Sequence, residues 1–248
     1  MKLIKEILGR ILALWAALVF VGTMLVFLIP FILYSYTHPD PTRNIRFLQM
    51  ARVWMSSFRT LIGCWLTIRG REHFKKGQQY IVVCNHNSLM DIPVSSPAIP
   101  HGNKTIAKME MARIPLFGMI YRSGSVLVDR KNEKSRKDSF RKMIQALNMG
   151  LHMCIYPEGT RNKSELPIKA FHDGAFRLAL DTGHAIIPGV IFNTKKVLPA
   201  NKPFYFMPHR LAIHFLPPIA PEPGESTESL KNRVHALMLE YYVANDRP

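Results

Sequence analysis

The sequence predicts an α/β fold in which a mostly parallel mixed sheet is flanked by helices and preceded by an N-terminal membrane helix pair. Three observations support this prediction. From about Cys64 onward, short apolar runs alternate with stretches of helical periodicity, which is typical of buried parallel sheets. A long uncharged apolar run lies near the N-terminus, and an amphipathic helical pattern follows it. The 248 residues suffice for one mid-sized core with an appendage.

The first predicted element is a membrane helix. The stretch from Ile11 to Thr37 contains no Asp, Glu, Lys, Arg or His, and about 20 apolar residues are enough to span a bilayer. A cleaved signal peptide is a poorer fit, because its apolar core is only about 7–15 residues long. Pro30 is expected to kink the helix or end it early. The segment should hold the protein at a membrane, and whether it spans or only enters the bilayer stays open.

A second helix is predicted from apolar residues that recur at steps of three and four. They are Phe47, Met50, Trp54, Phe58, Leu61 and Trp65. Arg52 and Arg59 fall on the opposite face. A basic amphipathic helix with aromatic residues is typical of the membrane interface. A helix that faces the core of the globular domain has the same pattern, so both interpretations stay open.

The globular part is predicted to contain seven strands and four helices. The predicted strands are Trp65–Arg69, Tyr80–Cys84, Thr105–Lys108, Ser125–Asp129, Met153–Tyr156, Ala185–Ile191 and Leu211–Leu216. The predicted helices are Met111–Tyr121, Lys134–Met149, His172–Thr182 and Thr227–Asn245. In sheets of this kind, chemistry takes place in the loops beyond the carboxyl ends of the strands.

The first polar motif follows the strand that starts at Tyr80. Asn85 and His86 come at the end of this strand, and Asp91 follows five residues after the histidine. Five residues on one continuous helix would rotate the two side chains about 140° apart, so they can meet only if His86 lies in the turn. A carboxylate would then fix the imidazole tautomer and stabilise the positive charge that forms during proton removal. A turn histidine beside a helix-capping aspartate is the alternative interpretation.

The second polar motif, Pro-Glu-Gly-Thr-Arg, follows the fifth predicted strand. Gly159 lets backbone N–H groups approach a ligand closely, and Arg161 can contact a phosphate through two parallel hydrogen bonds. Glu158 can hold that arginine or accept a hydrogen bond from a ligand hydroxyl. Lys108 and Arg130 offer further positive charge at strand ends. A tight turn with a surface ion pair is the alternative interpretation.

Taken in order, these motifs resemble the four motif blocks of the 1-acylglycerol-3-phosphate acyltransferase family. The blocks are Asn85-His86…Asp91, Asp129-Arg130, Glu158-Gly-Thr-Arg161 and the region of Pro188. The Lys108–Gly118 stretch is also similar to that family, and the resemblance extends from about Gly70 to Val190. Val128 and Tyr156 depart from the family pattern by apolar changes. The resemblance implies a glycerolipid acyltransferase-like sheet, with residues 1–63 as membrane-anchoring helices and residues 64–248 as the catalytic domain.

The resemblance also implies roles for the residues. His86 and Asp91 would form the catalytic dyad. Substrate binding is assigned to Lys108, Arg130, Glu158, Gly159, Thr160 and Arg161. Neither a metal nor an organic cofactor is expected. The implied reaction moves a fatty acyl group from acyl-ACP (acyl carrier protein) or acyl-CoA to the sn-2 hydroxyl of 1-acylglycerol 3-phosphate, giving phosphatidic acid. The expected location is the cell membrane, with the catalytic domain on its cytoplasmic side.

Charge and cysteine content limit the remaining alternatives. Lys and Arg number 33 against 17 Asp and Glu, a net charge of +16 that indicates anionic partners without choosing among them. The three cysteines have no metal-like spacing, which predicts reduced core residues. Another lysolipid acceptor remains an alternative, as does a lipid hydrolase that uses Ser88, although no G-x-S-x-G elbow is present. A non-enzymatic basic binding protein is the third alternative. We expect membrane and lipid partners rather than nucleic acid, and we assign the basic helix Lys134–Met149 to carrier-protein docking.

Overall fold

A computed structural model describes residues 2–129 and 131–246, with residues 35–37 described as backbone only. The strands are β1 Leu66–Arg69, β2 Ile81–Cys84, β3 Asn103–Lys108, β4 Ser125–Val128, β5 His152–Ile155, β6 Ile186–Phe192 and β7 Leu211–Phe215. The helices are α1 Lys2–Thr37, α2 Thr42–Leu61, α3 Asp91–Ala98, α4 Phe117–Ser123, α5 Glu133–Asn148, α6 Gly174–Thr182, α7 Thr194–Val197 and α8 Thr227–Asn245.

The seven strands form one sheet in the order β1-β7-β6-β2-β5-β3-β4. Every neighbouring pair is parallel except β6 and β7, which are antiparallel. The predicted α/β class with a mostly parallel mixed sheet is therefore confirmed. The carboxyl ends of β2, β3, β4 and β5 meet at one edge, which brings the motifs that follow these strands together.

Two apolar layers enclose the sheet. In β2, Val82 and Cys84 face the layer of α1, α2 and α3, whereas Ile81 and Val83 face the layer of α5, α6 and α8. All four side chains are fully buried, because successive residues of a strand point to opposite faces and both faces are covered here. This explains why the central strands are continuous apolar runs in the sequence.

The predicted elements of the globular part agree with the structure except at three places. Each predicted strand is present with its ends shifted by at most two residues, and three of the four helices of the globular part are present. The predicted continuous helix Met111–Tyr121 is wrong. A 3-10 turn covers Met109–Arg113, and α4 begins only at Phe117, because Pro115 lies between them and cannot continue a helix. The helices α3 and α7 were not among the predicted elements.

The aromatic face of α2 is buried rather than free. Trp54 and Phe58 are packed against α1, and the Trp54 indole N–H donates to the Thr23 hydroxyl at 2.9 Å. The structure therefore agrees with the core-facing interpretation for this part of the helix. Arg52, expected on an open polar face, instead donates to backbone carbonyls at the end of α3, including that of Ile99 at 2.8 Å.

The helix α1 carries a broad exposed apolar face. Residues Lys2–Tyr34 are long and apolar enough to cross a membrane, and only 28% of their most apolar window is buried. Both ends of the helix are tied to the globular domain. Near its start, the Gly9 carbonyl accepts the backbone N–H of Phe206 at 3.0 Å. Just beyond its end, the Asp40 carboxylate accepts a hydrogen bond from the Lys104 ammonium at 2.5 Å.

Candidate active site

The turn after β2 is fixed by Asn85. Its side-chain amide donates to the Ile191 carbonyl at 3.0 Å, and its oxygen accepts the Ile191 N–H at 2.7 Å. This pair continues the connection between β2 and β6 beyond the last strand residue. The next residue, His86, therefore leaves the sheet at a defined position.

His86 and Asp91 are in contact. The ring Nδ1 lies 2.8 Å from Asp91 Oδ2, and the same oxygen accepts the backbone N–H groups of Asn87 at 2.6 Å and Ser88 at 2.7 Å. Asp91 is fully buried at the first position of α3, where the helix N-terminus favours a negative charge. With Nδ1–H donated to the carboxylate, the lone pair of the imidazole lies on Nε2. The spacing argument required this placement: the histidine in the turn and the aspartate in the first helical turn.

The main chain and the ring of His86 are held as well. Glu158 Oε1 accepts the His86 N–H at 2.6 Å, and the Asn162 N–H donates to the His86 carbonyl at 2.6 Å. The Tyr156 ring lies 4.5 Å from the imidazole, centroid to centroid, and its hydroxyl is 2.6 Å from the Ser95 hydroxyl. Burial raises the pKa of the Tyr156 hydroxyl well above its usual value. Sequence reasoning did not find Asn162 or Ser95, because no short spacing connects them to the histidine.

A cavity of about 1380 Å³ opens beside His86. Its lining combines polar residues, Lys108, Gly159, Thr160 and Arg161, with apolar side chains of α1, α2 and α4. Within residues 2–129 and 131–246, the side chains of Lys108 and Arg161 form no hydrogen bond or ion pair with the protein. These cations are therefore free to bind an anionic group, and their position beside apolar walls suits an amphipathic ligand.

Most of the predicted site residues lie together. His86, Lys108, Gly159, Thr160 and Arg161 line the cavity. Asp91 lies behind the histidine, and Glu158 is also behind the wall, at 2% exposure. Arg130 falls outside the described residues.

The cavity wall also carries two lysines that the motifs did not indicate, Lys163 and Lys169. The Lys169 ammonium donates to the Thr160 hydroxyl at 3.0 Å. Both lysines follow the second motif in the sequence. Their positive charge close to Arg161 was the signal that could have indicated a place at the site. They reach the cavity because the loop after β5 folds back along it.

Ser88 is placed unfavourably for a nucleophile. Its hydroxyl donates to the Leu198 carbonyl at 2.7 Å and accepts the Met90 N–H at 3.1 Å. The residue is fully buried and does not line the cavity. This geometry gives no support to the hydrolase alternative.

Comparisons with known proteins show which family the chain resembles. The sequence model of the Acyltransferase family matches residues 66–192. Similar curated proteins include the 1-acyl-sn-glycerol-3-phosphate acyltransferase of Cocos nucifera, 30% identical over 192 residues, which cover 76% of this chain and 61% of that protein. The alpha enzyme of that name from Ovis aries is 28% identical over 206 residues, covering 81% and 70% of the two chains. The enzyme of that name from Helicobacter pylori is 28% identical over 193 residues, covering 75% and 81%.

A solved structure shows the same fold. The crystal structure of the 1-acyl-sn-glycerophosphate (LPA) acyltransferase from Thermotoga maritima superposes with a TM-score of 0.82 over 100% of both chains, at 22% identity. The chain spans less than two thirds of the coconut protein but the whole of the Thermotoga chain.

Proposed function

The chain belongs to the Acyltransferase family, and we propose that it transfers a fatty acyl group from a thioester to the sn-2 hydroxyl of 1-acylglycerol 3-phosphate. The product would be phosphatidic acid, and the donor acyl-ACP or acyl-CoA. One observation carries the proposal: an imidazole oriented by a buried carboxylate opens on a cavity whose wall holds both cationic and apolar side chains. A lysophospholipid combines the two matching features, an anionic phosphate and an apolar acyl chain. The names of the similar proteins support this substrate.

The acceptor would bind with its phosphate against Arg161 and Lys108. Arg161 suits this role because its guanidinium can bind two phosphate oxygens at once. Gly159 supports this arrangement of the loop, because its φ of +71° lies in the left-handed region, where a residue with a side chain would be strained. The sequence also places Arg130 after β4, and we assign it to the same phosphate. The acyl chain would extend along the apolar walls from α1 and α2.

In the proposed reaction, His86 Nε2 removes the proton of the acceptor hydroxyl. The oxygen attacks the thioester carbonyl and forms a C–O bond, while Asp91 stabilises the imidazolium. The tetrahedral intermediate then collapses, the C–S bond breaks, and the imidazolium returns the proton to the leaving thiolate. The ester and the free thiol are the products, so atoms and charge balance without a covalent acyl-enzyme.

We assign residues 1–63 to membrane anchoring and residues 64–248 to catalysis, with the catalytic domain on the cytoplasmic face of the cell membrane. The exposed apolar side chains of α1 support contact with lipid. Because Gly9 and Asp40 tie the two ends of α1 to one domain, the helix would lie along the bilayer surface and within one leaflet. Brominated lipids should then quench the exposed Trp15 and Trp65.

One assay tests the proposal. Purified protein is incubated with radiolabelled 1-acylglycerol 3-phosphate and with acyl-ACP or acyl-CoA in turn, and products are separated by thin-layer chromatography. Parallel reactions with other lysolipids test the acceptor. His86→Ala should reduce turnover by about 10²–10⁴ or more, because general-base catalysis is lost. His172→Ala is the matched control, since this histidine is exposed and lies off the cavity wall. Normal turnover in His86→Ala would overturn the proposed base.

A further inference from the structure

The Glu158 side chain connects two separate stretches of backbone. Besides the His86 N–H on Oε1, its Oε2 accepts the Lys169 N–H at 3.3 Å. One carboxylate therefore joins the turn of the proposed base to the loop that brings Lys169 to the cavity. Among the described residues, those that line the cavity include its neighbours Gly159 and Thr160 but not Glu158.

The loop that carries Glu158 is itself braced. The Asn162 side-chain amide donates to the Leu166 carbonyl at 2.7 Å, and its oxygen accepts the Ser164 N–H at 3.0 Å. The Asn162 N–H donates to the His86 carbonyl, so the loop holds the histidine backbone at both its N–H and its C=O. Any displacement of this loop would move the imidazole.

We propose that Glu158 is a positioning residue for His86 and not a ligand of the acceptor lipid. This inference rests on the proposed function, because it has meaning only if His86 takes the acceptor proton. The Glu158 carboxylate would repel the acceptor phosphate, because both are anionic. The backbone N–H groups of His86 and Lys169 are suitable donors to this carboxylate. Burial raises the pKa of Glu158 to about 7, as expected for a carboxyl group removed from water.

The sharpest variant is Glu158→Gln. It keeps the length of the side chain and an oxygen for the His86 N–H, but its amide NH₂ cannot accept from Lys169. We expect kcat to fall about tenfold or more while the acceptor KM stays within about twofold, because small misplacements of a base reduce chemistry rather than binding. Arg161→Ala is the comparison, and it should raise the acceptor KM. An acceptor KM raised about fivefold or more in Glu158→Gln at unchanged kcat would overturn the inference.

Side-chain length gives a second kinetic criterion. Glu158→Asp keeps the charge but is one methylene too short to reach both peptides. A bridging role predicts a lower kcat for Glu158→Asp than for Glu158→Gln. The reverse order would show that charge rather than reach matters, and it would contradict the inference.

Amide hydrogen exchange can test the inference in the wild-type protein, so the result does not depend on whether a variant folds. The His86 N–H should exchange slowly, and adding 1-acylglycerol 3-phosphate should not speed it, because Glu158 keeps its bond. Faster exchange on adding the lipid would mean that Glu158 turns toward the ligand, and the inference would fail. Wild-type protein without acyl transfer from either donor refutes the proposed function itself. An active wild type with only a KM defect in Glu158→Gln refutes the role of Glu158 alone.

Discussion

Replacing Asp91 by Asn removes the charge behind His86 and leaves the shape almost unchanged. In the structure, Oδ2 accepts three N–H groups, whereas Oδ1 has no hydrogen-bond partner within the described residues. The asparagine oxygen can therefore take the place of Oδ2 and keep all three bonds. Its NH₂ group then takes the place of Oδ1. In the reaction the main loss is the negative charge. The buried NH₂ group has no acceptor among the described residues, so it should also lower stability, which thermal unfolding measures separately.

The magnitude follows from the burial of this pair. The imidazolium that forms during proton transfer would face a neutral amide oxygen in a site where Asp91 is fully buried. Removing one partner of a buried ion pair typically costs about 3–5 kcal/mol. At about 1.36 kcal/mol per tenfold change in rate, kcat should fall by about 10²–10⁴. The acceptor KM should hardly change, because Asp91 does not line the cavity.

The assay is acyl transfer to radiolabelled 1-acylglycerol 3-phosphate at varied acceptor concentration, with thermal unfolding of each variant. Asp181→Asn on α6 is the matched control, because Asp181 is exposed, pairs with Arg177 on the surface of its own helix and does not line the cavity. A folded Asp91→Asn protein whose kcat stays within about tenfold of wild type would refute the reasoning. A change in the acceptor KM alone would mean that Asp91 acts on binding instead.

Three further predictions test binding, pH dependence and backbone geometry. Arg161→Ala should raise the acceptor KM about tenfold or more with a smaller change in kcat, because the two-bond phosphate contact is lost, and an unchanged KM would contradict this role. His152 is buried, its Nδ1 accepts the Tyr80 N–H at 3.0 Å, and burial lowers its pKa from 6.5 to about 4. Because the unfolded chain binds this proton first as pH falls, the free energy of unfolding should drop by about 3 kcal/mol between pH 6.5 and 4. Denaturant titrations should show a weaker pH dependence in His152→Asn, and an equal dependence would contradict the assignment. Gly70→Ala should lower the melting temperature strongly, because a Cβ would lie 1.9 Å from a backbone oxygen of β7. At Gly77 the added Cβ would have no atom within 4 Å, so Gly77→Ala should cost only the strain of its positive φ, about 1–2 kcal/mol. Equal melting temperatures for Gly70→Ala and Gly77→Ala would refute the argument.

Much of the fold could be predicted from local patterns. The apolar runs of β2, β5 and β6 predict buried parallel strands because both of their faces are covered. The contact of His86 with Asp91 also depends on a short stretch of chain. The five-residue spacing allowed this contact but left a turn histidine beside a capping aspartate open, and the dyad was implied by the family resemblance. The predicted helix Met111–Tyr121 is wrong because Pro115 interrupts it, and this proline is visible in the sequence itself.

The sequence by itself determined the α/β class, the strands and the residues at the carboxyl edge of the sheet, because these depend on local apolar periodicity and short spacings. Only the tertiary structure decided what Glu158 and Arg52 contact. Their partners, the His86 N–H and the carbonyls at the end of α3, lie 72 and at least 45 residues away along the chain. The sequence does not distinguish a charged side chain that faces solvent from one that binds a backbone group. The choice between ligand and support is therefore made by packing, which brings distant peptides within hydrogen-bond distance.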